Sequence, residues 1–551
     1  MADKYVFGVD LGTTYSCIAY LDETGRPVVL QNGEGKNITP SVVQIQDDGS
    51  AVVGEVAKDS GAAEEDSTIE FAKRHMGEPG FVFSVNGADY SPQQISAFIL
   101  KKIAKDVQES SLNADVKDVV ITCPAYFGIA ERQATHDAGT IAGLNVMEII
   151  NEPLAAAYHF GVTSTEENKN YMVFDLGGGT FDVTIMKIGS DSIEEVCSEG
   201  DHRLGGKDWD DKLINYLKGE FVSHIGIDID FSADEDYLLR QAAEDAKKRL
   251  TSKSETQVRV TTDNATEVIA VTRETFNELT ESLLERTFDI TDKAIEIAKS
   301  KGVEVDEILL VGGSTRMPQI KEAILSKYRK EPKSHEPDEA VAKGAAIYAN
   351  LLYNKNSEEL RKWKEQGASE TEKPDIANAE NYEEELSVDP LLIGGGAAPK
   401  TVTRSTTKSY GVAIVSRSDS SKEEIKNMIM KNNSMPDGCI EVSGEFGTAV
   451  SNQSVVSIRI FESDNMGDFY EYDEGVEIGG AVLEDLPANL PASSPIEVTL
   501  TLDNQGLLKV HGKELTANNE VRSELQVYGF MSQEEVEELA EQTKSIQIKD
   551  F

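Results

Sequence analysis

The first clear pattern of apolar and polar positions is a short strand at residues 5–9, a turn Asp10-Leu-Gly-Thr-Thr14, and a second apolar run at 17–21 ending in Asp22-Glu-Thr-Gly25. Short apolar runs separated by glycine-bearing turns predict a β-hairpin. The same phrase returns 165 residues later: a strand at 171–174, the turn Asp175-Leu-Gly-Gly-Gly179, a strand at 180–187 and a turn at 189–191. A repeat at so long a period is not a solenoid. It predicts one α/β unit used twice, with two equivalent loops facing each other across a cleft. The runs 119–122, ending at Pro124, and 308–311, leading into Gly312-Gly313, predict two more strands. Helical patterns mark 130–142, 153–160, 234–250, 275–300 and the alanine-rich 338–352. From 365 to 389 nine acids stand against one base, Lys373, with few large apolar residues, which predicts a solvated linker. It closes with a short apolar patch and a triple glycine at 389–396. From about 401 to 527 the pattern is β, with strands at 410–415, 455–461, 496–502 and 507–511. Ser532-Gln-Glu-Glu535 is a capping box opening a last short helix, with Val536, Leu539 and Ala540 on one face.

Composition narrows the classes. The 551 residues carry 98 acids and 53 Lys+Arg, a net charge of −45. That argues against non-specific nucleic-acid binding, which needs basic patches, and against an anionic membrane as partner. The length allows roughly three or four compact units. Cys17, Cys123, Cys197 and Cys439 lie far apart without a C-x-x-C pair, so neither a zinc site nor a disulfide framework is indicated. Buried thiols in a reducing compartment are expected. The N-terminus lacks the pattern of a signal peptide, and no run approaches the roughly 18 apolar residues of a membrane helix. A cytoplasmic address follows as the expectation.

The repeated turns carry the candidate chemistry. Glycines let backbone N–H groups approach phosphate oxygens, and a carboxylate at the strand end, Asp10 or Asp175, suits a hydrated Mg²⁺. Neither loop ends in the Gly-Lys-Ser/Thr of a P-loop, so this is not a Walker-type site. Gly312-Gly313-Ser-Thr-Arg316 would let a flat ligand approach, with Arg316 stacking on an adenine; an ordinary strand-to-helix turn with a surface arginine reads the same. Glu244, Lys247 and Thr251 share one helical face, which taken alone is also the pattern of a solvated face.

Four phrases together resemble the heat-shock protein 70 (DnaK-type) chaperone family: Gly8-Val-Asp-Leu-Gly-Thr-Thr-Tyr-Ser16, Val173-Phe-Asp-Leu-Gly-Gly-Gly-Thr-Phe-Asp182, Ile149-Ile-Asn-Glu-Pro-Leu-Ala-Ala-Ala157 and Leu310-Val-Gly-Gly-Ser-Thr-Arg-Met-Pro318. The resemblance is strong over about 4–352 and weaker over 401–527, through the phrase that runs from Phe446 to Ile458. It implies an α/β, actin- and hexokinase-like two-lobed ATPase domain at 1–352, an acidic linker at 353–400, an all-β peptide-binding sandwich at 401–528 and a short helical tail at 529–551. It implies ATP or ADP with Mg²⁺, and K⁺ as a further candidate. Gly12, Thr13, Thr14 and Tyr15 resemble the first phosphate loop, and Gly177, Gly178, Gly179 and Thr180 the second. Asp10 and Asp175 resemble the carboxylates that organise Mg²⁺ through water. Lys73 resembles the lysine that orients the attacking water, and Glu152 the acid beside that water. Glu244, Lys247, Thr251, Gly312, Gly313, Arg316 and Asp338 resemble the adenosine set. Pro124 and Arg132 resemble residues that report nucleotide state to the second domain. Val412, Ile414, Val415, Val456 and Ile458 would line the peptide groove, with Ala449 arching over it; strand alternation alone reads them equally well as core. The implied partners are extended hydrophobic segments of unfolded proteins, a J-domain co-chaperone and a nucleotide exchange factor, in protein folding and the stress response.

The chain departs from the family's pattern in several places. His136 stands where a lysine or arginine is usual, and Lys207 where an acid or its amide is usual; both bear on the expected domain docking. The family's apolar linker is replaced, with Leu391, Leu392 and Ile393 as its candidate remnant. The short C-terminus leaves no room for the helical lid, so client exchange is expected to be fast in every nucleotide state. Two rivals remain: a nucleotide-gated scaffold or regulatory protein with little ATP cycling, and a sugar or acetate kinase or actin-like filament protein, against which the β region after 400 argues.

Overall fold

The computed structural model describes residues 4–163, 169–226, 230–263, 265–334, 336–366, 376, 382, 386, 388, 400–416, 419, 421–503, 506–516, 520–524 and 531–549. Two sheets form two lobes. In lobe I the strand order is Asn145–Asn151, Asp118–Cys123, Phe7–Asp10, Tyr15–Leu21, Pro27–Val29, with Thr39–Pro40 also paired to Tyr15–Leu21. In lobe II it is Lys333–Ser334, Glu307–Val311, Lys169–Leu176, Phe181–Ile188, Ser192–Asp201, Thr401–Ser405, Ser434–Met435.

The predicted duplication is visible in the pairing. Phe7–Asp10 runs antiparallel to Tyr15–Leu21 and parallel to Asp118–Cys123. Lys169–Leu176 repeats this with Phe181–Ile188 and Glu307–Val311. These central strands read as nearly unbroken apolar runs because both sheet faces are covered. One core joins the lobes, containing Val6 and Ala19 from lobe I, Val173 and Val311 from lobe II, and Ala155 and Ala345 from the helices Glu152–Thr163 and Ala340–Gln366. The two helices touch at glycine: a Cβ on Gly344 would stand 1.6 Å from Ala155 O.

Two helices differ from the sequence pattern. The one expected at 338–352 continues to Gln366, because Tyr353 and Leu360 carry its apolar face on into the same core. It therefore occupies the start of the stretch expected as linker. The one expected at 275–300 is two, Arg273–Leu279 and Glu281–Ser300, divided at Thr280, whose hydroxyl donates to Phe276 O at 2.8 Å. Three thiols are buried as expected, but Cys439 is exposed, on an outer strand of the second domain.

That domain is a sandwich. One sheet holds Phe469–Glu471, Glu423–Ile429, Ser409–Val415, Val456–Ser463 and Val476–Leu483; the other holds Cys439–Gly447, Pro495–Asp503, Leu508–Glu514 and Glu520–Glu524. Period-two alternation on Pro495–Asp503 sends Ile496, Val498, Leu500 and Leu502 into the core. The strand Thr401–Ser405, expected to begin this domain, pairs instead in parallel with Ser192–Asp201 of lobe II. The final helix, Gln533–Ser545, has the predicted capping box: Glu535 N–H donates to Ser532 Oγ at 3.2 Å. No helix among the described residues is long and apolar enough to cross a membrane.

Candidate nucleotide site and domain junction

A cavity of about 560 Å³ lies between the lobes. Asp10, Gly12, Thr13, Thr14, Tyr15, Lys73, Glu152, Asp175, Gly177, Gly178, Thr180, Glu244, Lys247, Thr251, Gly312, Gly313, Arg316 and Asp338 all line it. Residues far apart in sequence thus converge on one space. The remaining loop residue, Gly179, closes the contact between the loops: a Cβ there would stand 2.4 Å from Thr13 Cγ2, and one on Gly178 would stand 2.1 Å from Thr14 Oγ1. The second loop is held from behind. Gly206 N–H donates to Gly177 O (3.0 Å), Lys207 N–H to Gly178 O (2.9 Å), and the Ser314 hydroxyl to Gly177 O (2.8 Å). Gly312 needs its glycine twice over: its φ is +81°, and a Cβ would stand 2.4 Å from Leu176 O.

At the end of the cavity lined by the two glycine-bearing loops, the chemistry is one of crowded, dry carboxylates. Lys73 Nζ is 2.6 Å from Glu152 Oε1, both largely buried. Burial opposes the ammonium charge, but Glu152 and Asp10 outweigh it and keep Lys73 protonated. Asp10 is pushed up to about 7, first by burial and then by the charge of Glu152, although Thr122 donates to it at 3.3 Å. Asp175 is raised well above the usual range for the same two reasons. A further carboxylate, Asp182, is raised to about 8 by burial and Glu152, and accepts Tyr126 N–H at 3.1 Å. Such a site has a deficit of positive charge, which a bound cation removes. Asp182 ends the second loop phrase, and its only mark in the sequence is its place opposite Asp175 in the hairpin.

At the other end, Glu244 bridges the lobes. Lys58 reaches it at 2.5 Å and Lys248 at 2.7 Å, and Tyr15 OH donates to it at 3.3 Å. Burial raises its pKa, but Lys58 and Lys248 overcome that and bring it down to about 2. Lys247 pairs with Asp210 at 2.6 Å, and Arg316 Nε with Asp338 at 3.1 Å. Lys58 and Asp210 also line the cavity and were missed, since a lone lysine or aspartate on a helix has no distinguishing spacing. Lys207 lies in this cavity too, 2.6 Å from Asp211, with its ammonium 5.4 Å from the Phe71 ring. His136 is half-exposed beside Asp137.

Pro124 and Arg132 flank the segment on which the sandwich rests. Arg132 is buried and donates to Phe127 O (3.0 Å), Ala125 O (3.4 Å) and the Asn151 side chain. Gly506 of the sandwich sits against it, 3.2 Å from its Cδ to a built Cβ. Between them, Ile129 joins the sandwich core, its N–H donates to Glu462 Oε2 at 3.2 Å, and Tyr126 OH bonds Asp464. Lys431, 1 % exposed, pairs with Glu199 of lobe II and Asp464 at 3.0 Å each. On the other side of the junction strand, Arg404 bonds Glu148, and Tyr348 OH donates to the same Glu148 at 2.7 Å.

In the sandwich, Val412 and Ile458 are buried in the core and Val456 packs against it, while Ile414 is half-buried and Val415 and Ala449 are exposed. Leu391, Leu392 and Ile393 lie outside the described residues.

A sequence model of the family described as Hsp70 protein matches residues 6–82, 77–361 and 406–551, which takes in both lobes, the sandwich and the final helix. The chain belongs to the Hsp70 protein family, a class of ATP-binding chaperones.

Proposed function

We propose that this chain couples ATP binding and hydrolysis to the binding and release of extended hydrophobic peptide segments. The observation that carries the reading is the single cavity in which both phosphate loops, the Lys73–Glu152 pair and the adenosine set converge. The residues fit a nucleotide with a metal ion: glycine cradles that admit no Cβ, and carboxylates raised first by burial and then by the charge of Glu152. Among the described residues no three His, Cys, Asp or Glu side chains converge on a bare ion, so Asp10 and Asp175 would hold Mg²⁺ through water. Held there by Asp10 and Asp175, Mg²⁺ would neutralise phosphate charge, and K⁺ is a second candidate for the same carboxylates.

Hydrolysis joins a water oxygen to the γ-phosphorus and breaks its bond to the bridging oxygen of ADP. The protein's part is positioning and charge. Lys73 supplies a fixed positive charge for the γ-phosphate and the attacking water. Glu152 keeps Lys73 protonated and offers Oε atoms to the water. The loop N–H groups and the hydroxyls of Thr13, Thr14 and Thr180 surround the phosphates. Pro124 and Arg132 join this end of the cavity to the sandwich. There Ile414, Val415, Val456 and Ala449 are the proposed groove side, with Val412 and Ile458 forming its floor from the core. The helix after the sandwich lies on the ATPase domain, not over this groove, which supports fast client exchange. A J-domain protein and an exchange factor complete the proposed cycle.

Lys73→Ala is expected to lower steady-state ATP turnover at least about 100-fold while sparing nucleotide binding. Unchanged turnover would refute the assignment. The buried ion pairs at the domain junction favour a second reading, a nucleotide-gated scaffold. Tight ATP binding with no stimulation of turnover by an apolar peptide would decide for the scaffold.

A further inference from the structure

The last described residues leave the sandwich and return to lobe I. Val536 and Leu539 of the helix Gln533–Ser545 pack with Ala97 and Ile141 on the helices Pro92–Glu109 and Ile129–Ile141. Beyond it, Ile548–Lys549 pairs in parallel with Ala51–Val53, and Ala51 N–H donates to Gln547 O at 3.1 Å. This covers what would otherwise be the open edge of the sheet formed by Ala51–Val53, Val43–Ile45 and Thr68–Ile69. Ile548, 6 % exposed, enters the lobe I core together with Ile546. Two lysines of Pro92–Glu109 hold the backbone: Lys101 donates to Thr543 O and to Ile546 O (3.0 Å), and Lys105 to Ile548 O (3.1 Å). Cations at these carbonyls also complement the helix C-terminus.

The other end of the sandwich is fastened elsewhere. Thr401–Ser405, which leads into it, is a strand of lobe II. The second domain is thus tied to lobe II at its entry and to lobe I at its exit, and the nucleotide cavity lies between those lobes. Separating the lobes moves these two attachments apart. The lobe I end is the weaker. It is a two-residue strand with one short helix, whereas the lobe II end is a five-residue strand paired on both sides and backed by the buried Lys431–Glu199 pair. Short, shallow elements open first in local unfolding.

We propose that residues 531–549 are a strap that resists opening of the nucleotide cleft, so that nucleotide leaves mainly after Ile548–Lys549 lifts off Ala51–Val53. The proposal rests on the nucleotide-binding reading above. Linkage makes it reciprocal: whatever closes the cleft also tightens the strap.

The test is the release rate of a fluorescent ADP analogue, chased with unlabelled ADP, from the full chain. Cys439→Ser removes the exposed thiol and serves as background. Ile548→Asp places a charge in the lobe I core position and is expected to speed release about tenfold. Ala51→Cys with Ile548→Cys joins register partners, which parallel pairing brings within disulfide reach. Its oxidised form is expected to release nucleotide about tenfold more slowly than the same protein after reduction. Equal rates from the oxidised and reduced forms, with nucleotide still bound, would overturn the strap alone. Absence of nucleotide binding in the unsubstituted chain would remove the reading beneath it as well.

Discussion

Glu462 makes the domain junction sensitive to pH. Gly128 of lobe I packs on its carboxylate, Ile129 N–H donates to it, and Glu131, Tyr410 and Lys408 stand around it. Burial, then the charge of Glu131, pushes it up to about 7 from 4.5, with Lys408 pulling the other way. Undocking returns the carboxyl to water and to its ordinary value. Between these two values the docked form keeps a proton that the undocked form has lost. Docking is therefore strongest below about pH 4.5, weakens as pH rises towards 7, and levels off above, a change on the order of 3 kcal/mol. Glu462→Gln is expected to remove this slope and leave the domains more firmly docked at pH 8. The readout is energy transfer between dyes on the sandwich and on lobe II; a slope that survives the substitution would refute the account. Individual residues differed in how legible they were. Thr13, Thr14 and Gly177 sit in phrases whose neighbours announce them. Lys58, Asp210 and Glu462 act through burial and partners from other elements, and no local pattern encodes that.

At the scale of elements, hydrophobic period and turn chemistry placed most of the strands and helices they marked within a few residues, and left others, such as the helices Pro92–Glu109 and Gly206–Ile225, unmarked. The errors came where an element's extent depends on what it packs against. The helix from Ala340 runs on to Gln366 because the lobes supply a surface for Tyr353 and Leu360. The strand Thr401–Ser405 has a polar sequence with one valine and was grouped with the sandwich that follows. It is the last strand but one of the lobe II sheet because Ser405 donates to Glu195 at 3.0 Å and Arg404 finds Tyr348 and Glu148, the latter on a lobe I strand. Arg404→Ala leaves Glu148 buried without its cation. It is expected to cost about 3–5 kcal/mol, measured by denaturant unfolding, and Glu148→Gln added to it should recover part of the loss. Additive losses from the two substitutions would show that the pair does not act together.

The whole molecule carries a charge of −45, and the structure divides its acidic run into two uses. From Ile460 to Leu508 there are eleven acids and no Lys or Arg. Glu462 and Asp464 are consumed at the domain junction, whereas Asp468, Glu471, Asp473, Glu474, Glu484 and Asp485 are exposed. Glu484 and Asp485 follow directly on Leu483, the strand partner of Val456 on the proposed groove side. Peptides with lysine or arginine flanking an apolar anchor are expected to bind more tightly than acidic ones, and the preference should fade as salt is added. Affinity indifferent to salt would count against it. The sequence by itself determined the duplicated α/β unit, its two glycine-bearing loops and the β character of the second domain, because short-range periodicity and turn residues encode those directly, while the family followed from the resemblance of whole motif phrases. Only the tertiary structure decided that the cavity gathers Lys58 and Asp210, that Thr401–Ser405 belongs to lobe II, and that the tail returns to lobe I. Those outcomes depend on which surfaces are left to be covered once the lobes have packed, and on how far burial shifts each charge. Neither quantity exists until distant segments meet.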